Sequence, residues 1–197
     1  MLYNKLDETA EGVYIISATP FKDSGELDLE STKKLVDFYL EKGVDGITVL
    51  GVMGEAPKLT IEESKLFLNT VLKQVNQRVP IIVGVSNPGI DNLIDLSNFS
   101  MDNDAAGVMI APPPGIGTEE KLYNYLTNIL DKLDDRIPVC YQDYPFFTKS
   151  EISVATFNKI IEEYDQVVMF KHEEWPGLNK LSKLRKHSDN GDTRRVS

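Results

Sequence analysis

Short apolar runs alternate with amphipathic stretches along most of this chain. The runs are apolar at consecutive positions and end at Gly, Pro or small polar residues, as strands buried on both faces do. Six strands are predicted, over residues 13–21, 46–51, 80–86, 106–111, 138–142 and 166–173. Each is followed by a segment whose apolar residues recur at helical spacing. The pattern therefore predicts six βα units in succession.

The predicted helices carry recognisable start and stop signals. Asp28 precedes the first helix and Gly43 ends it. Thr60 begins the second, and Glu63 three residues later completes the pattern of a capping box. The other helices are predicted over residues 90–101, 118–133, 152–164 and 176–187.

Apolar strands joined by helices indicate an α/β fold with a parallel sheet, either an open doubly wound sheet or a (β/α)8 TIM barrel. The turn after strand one, Thr19-Pro-Phe-Lys-Asp23, lacks a Gly-rich dinucleotide fingerprint. Polar residues cluster at the C-terminal strand ends, where a barrel carries its chemistry. We predict a TIM barrel of which only the first six βα units are present, over residues 12–197, after an N-terminal arm of residues 1–11.

Composition narrows the class of protein. The chain has 197 residues, a formal net charge of -10 and one cysteine, Cys140. The acidic balance argues against nucleic acid or an anionic membrane as partner. The first twelve residues lack the apolar core of a signal peptide, and no apolar run is long enough to span a membrane. These features predict a cytoplasmic protein.

Strand six ends in a lysine. Val167, Met169 and Lys171 alternate onto one face of that strand. An ammonium removed from water loses its proton more easily, and the neutral amine can form a Schiff base with a ketone. Considered alone, the stretch fits a surface lysine that ends an edge strand better than a buried reactive one.

Three segments together resemble the dihydrodipicolinate synthase and N-acetylneuraminate lyase family of class I aldolases. They are the strand end Thr19-Pro20-Phe21, the turn Leu50-Gly-Val-Met-Gly-Glu55 in place of Gly-Thr-Thr-Gly-Glu, and Met169-Phe-Lys-His in place of Gly-Ile-Lys-Glu. The likeness runs from Gly12 to the C-terminus and includes the order of all six units.

The resemblance implies a lyase that condenses or cleaves 2-oxo acids of the pyruvate type, with an aldehyde as second substrate and no cofactor. Lys171 would form the Schiff base. The backbone amides of Val52 and Met53 would hold the substrate carboxylate, because a strand-to-helix turn presents free N–H groups to an anion. The family's habit also implies a homo-oligomer.

Several residues depart from the family pattern. Its proton relay uses a threonine, a tyrosine from a neighbouring subunit and a strand-five tyrosine, and this chain has Val52, Pro114 and Gln142 there. By period two, Tyr144 shares a face with Gln142, so we predict Tyr144 as the substitute proton-transfer group and Gln142 as a substrate-binding residue. Phe147 replaces the arginine that holds the aldehyde carboxylate, which predicts a less acidic or more apolar aldehyde.

The run His172-Glu173-Glu174 resembles a metal cluster, but His172 is expected to face away from Lys171 and no second liganding histidine is near. We predict no metal.

Two functional alternatives stay open: another lysine-dependent barrel aldolase, such as one related to deoxyribose-phosphate aldolase, and a truncated or degenerate barrel without turnover. A complete barrel takes about 250 residues, so this chain is expected to be a fragment or a truncated product with unpaired edges at strands one and six.

Overall fold

A computed structural model of the chain describes residues 5–197. The strands are β1 (Tyr14–Ile16), β2 (Gly46–Val49), β3 (Ile81–Gly84), β4 (Gly107–Ile110), β5 (Val139–Asp143) and β6 (Val167–His172). The helices are α1 (Leu29–Glu41), α2 (Ile61–Val75), α3 (Ile90–Asp102), α4 (Glu119–Leu130), α5 (Pro145–Thr148), α6 (Val154–Glu163) and α7 (Leu178–Asp189). Strand order in the sheet follows chain order. Where the register is defined, for β1 with β2, β2 with β3 and β5 with β6, the pairs are parallel.

The predicted succession of strands and helices is confirmed, and the differences lie at element ends. Strands are shorter than the apolar runs, since the run from residue 13 to 21 yields only Tyr14–Ile16. Two short elements were not predicted, a 3₁₀ turn at Ala56–Lys58 and helix α5. Helix α7 begins at Leu178, two residues later than expected.

The chain forms two compact units, which are described separately. The first contains residues 11–108 together with Leu6, and the second contains residues 109–197 together with residues 7–10. Of the predicted N-terminal arm, residues 1–4 lie outside the described residues. Leu6 is buried, and its amide donates to Ala106 O at 2.9 Å. The arm's boundary stays a prediction.

The first unit is built on β2 and β3, whose residues are all buried. This explains why both strands read as unbroken apolar runs. The capping box of α2 forms as predicted: Thr60 Oγ1 accepts from Glu63 N at 3.2 Å, and Glu63 Oε2 accepts from Thr60 N at 2.9 Å. The hydrogen bonds that Thr60 N and Thr60 Oγ1 donate to the Glu63 carboxylate lower the pKa of that group.

The turn that follows β2 passes close to the end of β3. Leu50 there adopts the left-handed conformation (φ 56°) and is buried. A Cβ atom on Gly84 would overlap the Leu50 carbonyl oxygen, which is backbone and has no room to move. Glycine at position 84 thus allows the turn to pack against the strand.

In the second unit, β5 and β6 enclose an aromatic cluster on one face. Phe170 lies 4.5 Å from Phe157 of α6 and 6.0 Å from Tyr141 of β5, measured between ring centroids. Such rings contribute large buried area to a core. The cluster fixes which face of β6 is covered by helix α6.

The outer edge of β6 is paired near the end of the chain. Ser197 N donates to Val168 O, and Phe170 N donates to Ser197 O, both at 2.9 Å. Arg194 supports this segment by donating to Ile161 O at 2.7 Å and to Tyr164 O at 3.0 Å. The expectation of an unpaired β6 edge is therefore wrong at these positions.

No helix among residues 5–197 has the length and apolar character needed to cross a lipid bilayer. This agrees with the absence of a long apolar run in the sequence.

Replacing Gly84 with alanine is expected to lower the unfolding free energy by about 1–3 kcal/mol, because the added methyl group overpacks a site bounded by backbone. Urea unfolding followed by circular dichroism measures this. Gly89→Ala is the control, since its methyl group would meet the movable Asn92 side chain at 3.1 Å. Equal stability of the two variants would contradict the proposed constraint.

Candidate active site

Side chains at the end of β6 separate onto two faces. Lys171 and Glu173 are two residues apart on one face, whereas Phe170, His172 and Glu174 follow the other. The backbone keeps this alternation past the strand end, because Glu173 N donates to Asp143 O at 2.9 Å. The side chains of residues 171–174 therefore form two separate groups, Lys171 with Glu173 on one face and His172 with Glu174 on the other.

Lys171 lies directly beside Gln142 in the sheet. The two residues are register partners on β6 and β5, so their side chains point to the same face. Gln142 is buried, and its Nε2 donates to Glu173 Oε1 at 2.5 Å. The Lys171 ammonium contacts the same carboxylate oxygen. The three side chains form a connected group at the C-terminal ends of both strands.

The Lys171 side chain is 23% exposed, so its amine is partly withdrawn from water yet still accessible. Burial lowers the pKa of Lys171, and the nearby Cys140 sulfur acts weakly in the opposite direction. Contact with the Glu173 carboxylate also favours the charged ammonium. Burial in turn raises the pKa of the Cys140 thiol to about 12, so the thiol stays neutral.

Glu173 was considered from the sequence only as part of the run His172-Glu173-Glu174, which resembles a metal cluster. Its place beside Lys171 was not predicted. Its position two residues after Lys171 was the available signal, since period two places both on one face. Among the residues that the structure describes, none hydrogen-bonds to Glu173 Oε2.

The opposite face carries a buried ion cluster. Asp143 is fully buried, and its Oδ2 lies 2.9 Å from His172 Nδ1 and accepts from Lys180 Nζ at 2.9 Å. Lys180, on α7, also lies 3.0 Å from Glu174 Oε2. Burial lowers the pKa of Lys180, but the hydrogen bonds to Asp143 and Glu174 outweigh this and leave its pKa raised. The ammonium is thus held as a cation.

His172 faces this cluster and stacks on Phe170 at 5.4 Å, so it lies away from Lys171 as predicted from strand alternation. Asp143, His172 and Glu174 each place one ligand atom within 4.8 Å of the others, an arrangement open to a metal ion. The Lys180 ammonium contacts two of the three residues. A metal ion there would meet a resident positive charge, and the prediction of no metal stays a prediction.

Tyr144 lies just beyond β5, because the strand ends at Asp143 and Pro145 begins α5. Its ring stacks on Phe147 at 6.1 Å and approaches Phe146 at 6.3 Å. The alternation that placed Tyr144 beside Gln142 stops one residue earlier, and its role in proton transfer stays a prediction. Tyr141 lies on the aromatic face, and burial raises the pKa of its hydroxyl group.

Val52 and Met53 belong to the first unit, in the turn after β2. Both are exposed, at 38% and 62%. Thr19 Oγ1 anchors the turn by donating to Gly54 O at 2.6 Å. The amides of Glu55 and Ala56 donate within the turn, whereas those of Val52 and Met53 find no acceptor among residues 5–197. The turn therefore offers two amide donors, as the carboxylate-binding prediction requires.

Comparison with known proteins identifies relatives across nearly the whole chain. Residues 9–190 match the Dihydrodipicolinate synthetase family. The 4-hydroxy-tetrahydrodipicolinate synthase of Methanosphaera stadtmanae is 31% identical over 183 residues, which are 91% of this chain and 60% of that enzyme. The synthase of Aquifex aeolicus is 29% identical over 177 residues, 89% of this chain and 59% of that enzyme.

Solved structures agree with the sequence comparison. A dihydrodipicolinate synthase from Rhodopseudomonas palustris superimposes with a TM-score of 0.94 and 39% identity, over 99% of this chain and 64% of that one. A prophage protein of E. coli K12, described as a member of the dihydrodipicolinic acid synthase family in complex with pyruvate, has a TM-score of 0.81 and 25% identity, over 91% of this chain and 60% of that one. The chain spans about 60% of the length of these relatives. The predicted fold, the first six units of a (β/α)8 barrel, is confirmed.

Replacing Lys180 with methionine is expected to lower the unfolding free energy by about 3–5 kcal/mol, because the fully buried Asp143 carboxylate would lose its ammonium partner. Chemical denaturation measures the change. Lys183→Met on the exposed side of α7 is the matched control, expected within about 0.5 kcal/mol of the parent. Equal effects of the two variants would show that the ion cluster contributes nothing specific.

Proposed function

Because the chain belongs to the Dihydrodipicolinate synthetase family, we propose that it is a lyase that forms or cleaves carbon–carbon bonds of 2-oxo acids through a Schiff base on Lys171. The observation that carries the proposal is the partly buried Lys171 amine at the end of β6, held beside Gln142 and Glu173. Burial lowers the pKa of this amine, which favours the neutral form that attacks a ketone.

The reaction begins on a 2-oxo acid of the pyruvate type. Lys171 Nζ bonds to the C2 carbon, the ketone oxygen leaves as water, and a protonated imine remains. That imine withdraws electrons from C3, so C3 can lose a proton and then attack an aldehyde. The complex with pyruvate that is recorded for the E. coli K12 relative supports this substrate class.

The Val52 and Met53 amides are the proposed ligands of the substrate carboxylate. They have no acceptor among the described residues and lie in the turn that follows β2, where unpaired backbone N–H groups favour an anion. Gly54 is buried beneath them and Thr19 fixes its carbonyl group. Specific binding of a carboxylate needs donors that are already in position, and this anchored turn supplies them.

The aldehyde is proposed to be less acidic or more apolar than the one the synthases use. Phe147 stands where the resemblance places an arginine, and its ring is 42% exposed beside Tyr144. An exposed aromatic surface favours an apolar or neutral group over a second carboxylate.

The single cysteine is buried and free, which supports a reducing compartment, and we extend the proposal to the cytoplasm. Assembly into a homo-oligomer stays a prediction.

Incubation with pyruvate and borohydride is expected to add the mass of a reduced pyruvate group to Lys171, because borohydride fixes the imine. Peptide mapping by mass spectrometry identifies the modified lysine. The Lys171→Ala variant should gain no adduct, and Lys183→Ala should label like the parent protein. An adduct on another lysine, or none at all, would refute the Schiff-base function and favour a barrel without turnover.

Lys171 is expected to lose its proton at a lower pH than a free lysine, whose pKa is near 10.5, because burial disfavours the ammonium. Competitive acetylation over a range of pH, read by mass spectrometry at Lys171, gives the midpoint. N-acetyl-lysine in the same solution is the reference amine. A midpoint at or above that of the reference would contradict the assignment of Lys171 as a nucleophile.

A further inference from the structure

We propose that Glu173 is the catalytic acid and base of the reaction at Lys171, with Gln142 as the residue that positions its carboxylate. The inference rests on the proposed function and names the group that moves protons in it. Three contacts carry it: Lys171 Nζ with Glu173 Oε1, Gln142 Nε2 donating to the same oxygen at 2.5 Å, and Glu173 N donating to Asp143 O at 2.9 Å.

The position of Glu173 suits proton transfer at the substrate. In the imine, C3 is separated from Lys171 Nζ by a single carbon atom, so a carboxylate in contact with Nζ also lies beside C3. Oε1 is held by Gln142, and Oε2 has no hydrogen-bond partner among residues 5–197. The side chain is 32% exposed, so it can exchange protons with water between turnovers.

Other side chains on this face of the second unit are poor proton carriers. Gln142 is an amide, which does not gain or lose a proton near neutral pH. Cys140 shares the face by alternation, but burial raises its pKa to about 12. Tyr141 lies on the aromatic face. Tyr144, stacked on Phe147 just beyond the strand, is the rival that the experiment must test.

In the proposed sequence of steps, Glu173 carries the protons between Lys171 and the substrate. Glu173 takes a proton from the Lys171 ammonium, and the neutral amine bonds to C2 of the 2-oxo acid. Glu173 returns that proton to the ketone oxygen and then carries a second proton from the Lys171 nitrogen to the same oxygen, which leaves as water and leaves a protonated imine. The carboxylate then removes a proton from C3, and the C–H electron pair forms the enamine while the imine nitrogen is neutralised. When C3 bonds to the aldehyde carbon, Glu173 gives its proton to the aldehyde oxygen, and water releases the product from Lys171.

Gln142 positions the carboxylate in these steps. It is 3% exposed and lies opposite Lys171 in the parallel register. A donor that binds only Oε1 fixes the rotation of the carboxylate and leaves Oε2 directed at the reacting carbon. A hydrogen bond to a charged group is among the stronger contacts in proteins, which explains why one amide suffices.

The test measures exchange of the pyruvate methyl protons with deuterium oxide by NMR, together with the yield of the borohydride adduct on Lys171. Glu173→Gln keeps the size of the side chain and is expected to slow exchange by about 100-fold or more, the usual contribution of a general acid or base. Its adduct yield, read after an incubation long enough for the imine to reach equilibrium, is expected to stay within about threefold of the parent, since a proton carrier changes the rate of imine formation and not its equilibrium.

Three further variants separate catalysis from structure. Glu120→Gln removes an exposed carboxylate from α4 and is expected to match the parent. Glu173→Ala is expected to regain exchange when formate is added, because a small acid can occupy the space and carry the proton. Tyr144→Phe tests the rival and is expected to slow exchange far less than Glu173→Gln does, because the Tyr144 ring stacks on Phe147 beyond the end of β5.

The outcomes are distinct. Normal exchange in Glu173→Gln, absence of rescue by formate, or loss of exchange in Tyr144→Phe alone would each overturn the role of Glu173. Absence of a Lys171 adduct in the parent protein would instead refute the Schiff-base function itself.

Discussion

The parallel pairing of β5 with β6 determines which side chains meet at the candidate site. It places Gln142 opposite Lys171 and Asp143 opposite His172. Because side chains alternate along each strand, one register yields two charged groups on opposite faces. A shift by one residue would exchange them, so that Lys171 would face the aromatic cluster and His172 the open face. The Phe170 and Phe157 contact resists such a shift, since it buries an aromatic ring on the side that α6 covers.

Much of the fold follows from local sequence signals. The capping box at Thr60 and the stop at Gly43 depend on residues a few positions apart, and both form as expected. Strand lengths are harder to predict from the sequence, because an apolar run continues past the end of the strand into the turn that follows it. Leu50 illustrates this, since it is as buried as a strand residue yet adopts a left-handed conformation. The need for glycine at position 84 depends on that neighbouring turn and was not visible locally.

The candidate site shows the same division between local and distant signals. Alternation along one strand sufficed to separate Lys171 from His172. The contact of Gln142 with Glu173 joins residues 31 positions apart and depends on the strand register, which no local pattern encodes. The expectation for Tyr144 extended alternation past the point where Pro145 turns the chain into α5. Lys180 reaches Asp143 from a helix, so its position depends on how that helix packs.

Two lysines of the second unit illustrate how surroundings separate a structural cation from a reactive amine. Lys180 contacts both Asp143 and Glu174, and these hydrogen bonds outweigh its burial and raise its pKa. Such an ammonium binds its proton too tightly to act as a nucleophile. Lys171 contacts one carboxylate, that of Glu173, and burial lowers its pKa. A single partly exposed carboxylate stabilises the ammonium less than two do, and it can accept the proton that the amine must lose. The contact between Lys171 and Glu173 would thus supply a base at the atom where the proposed reaction begins.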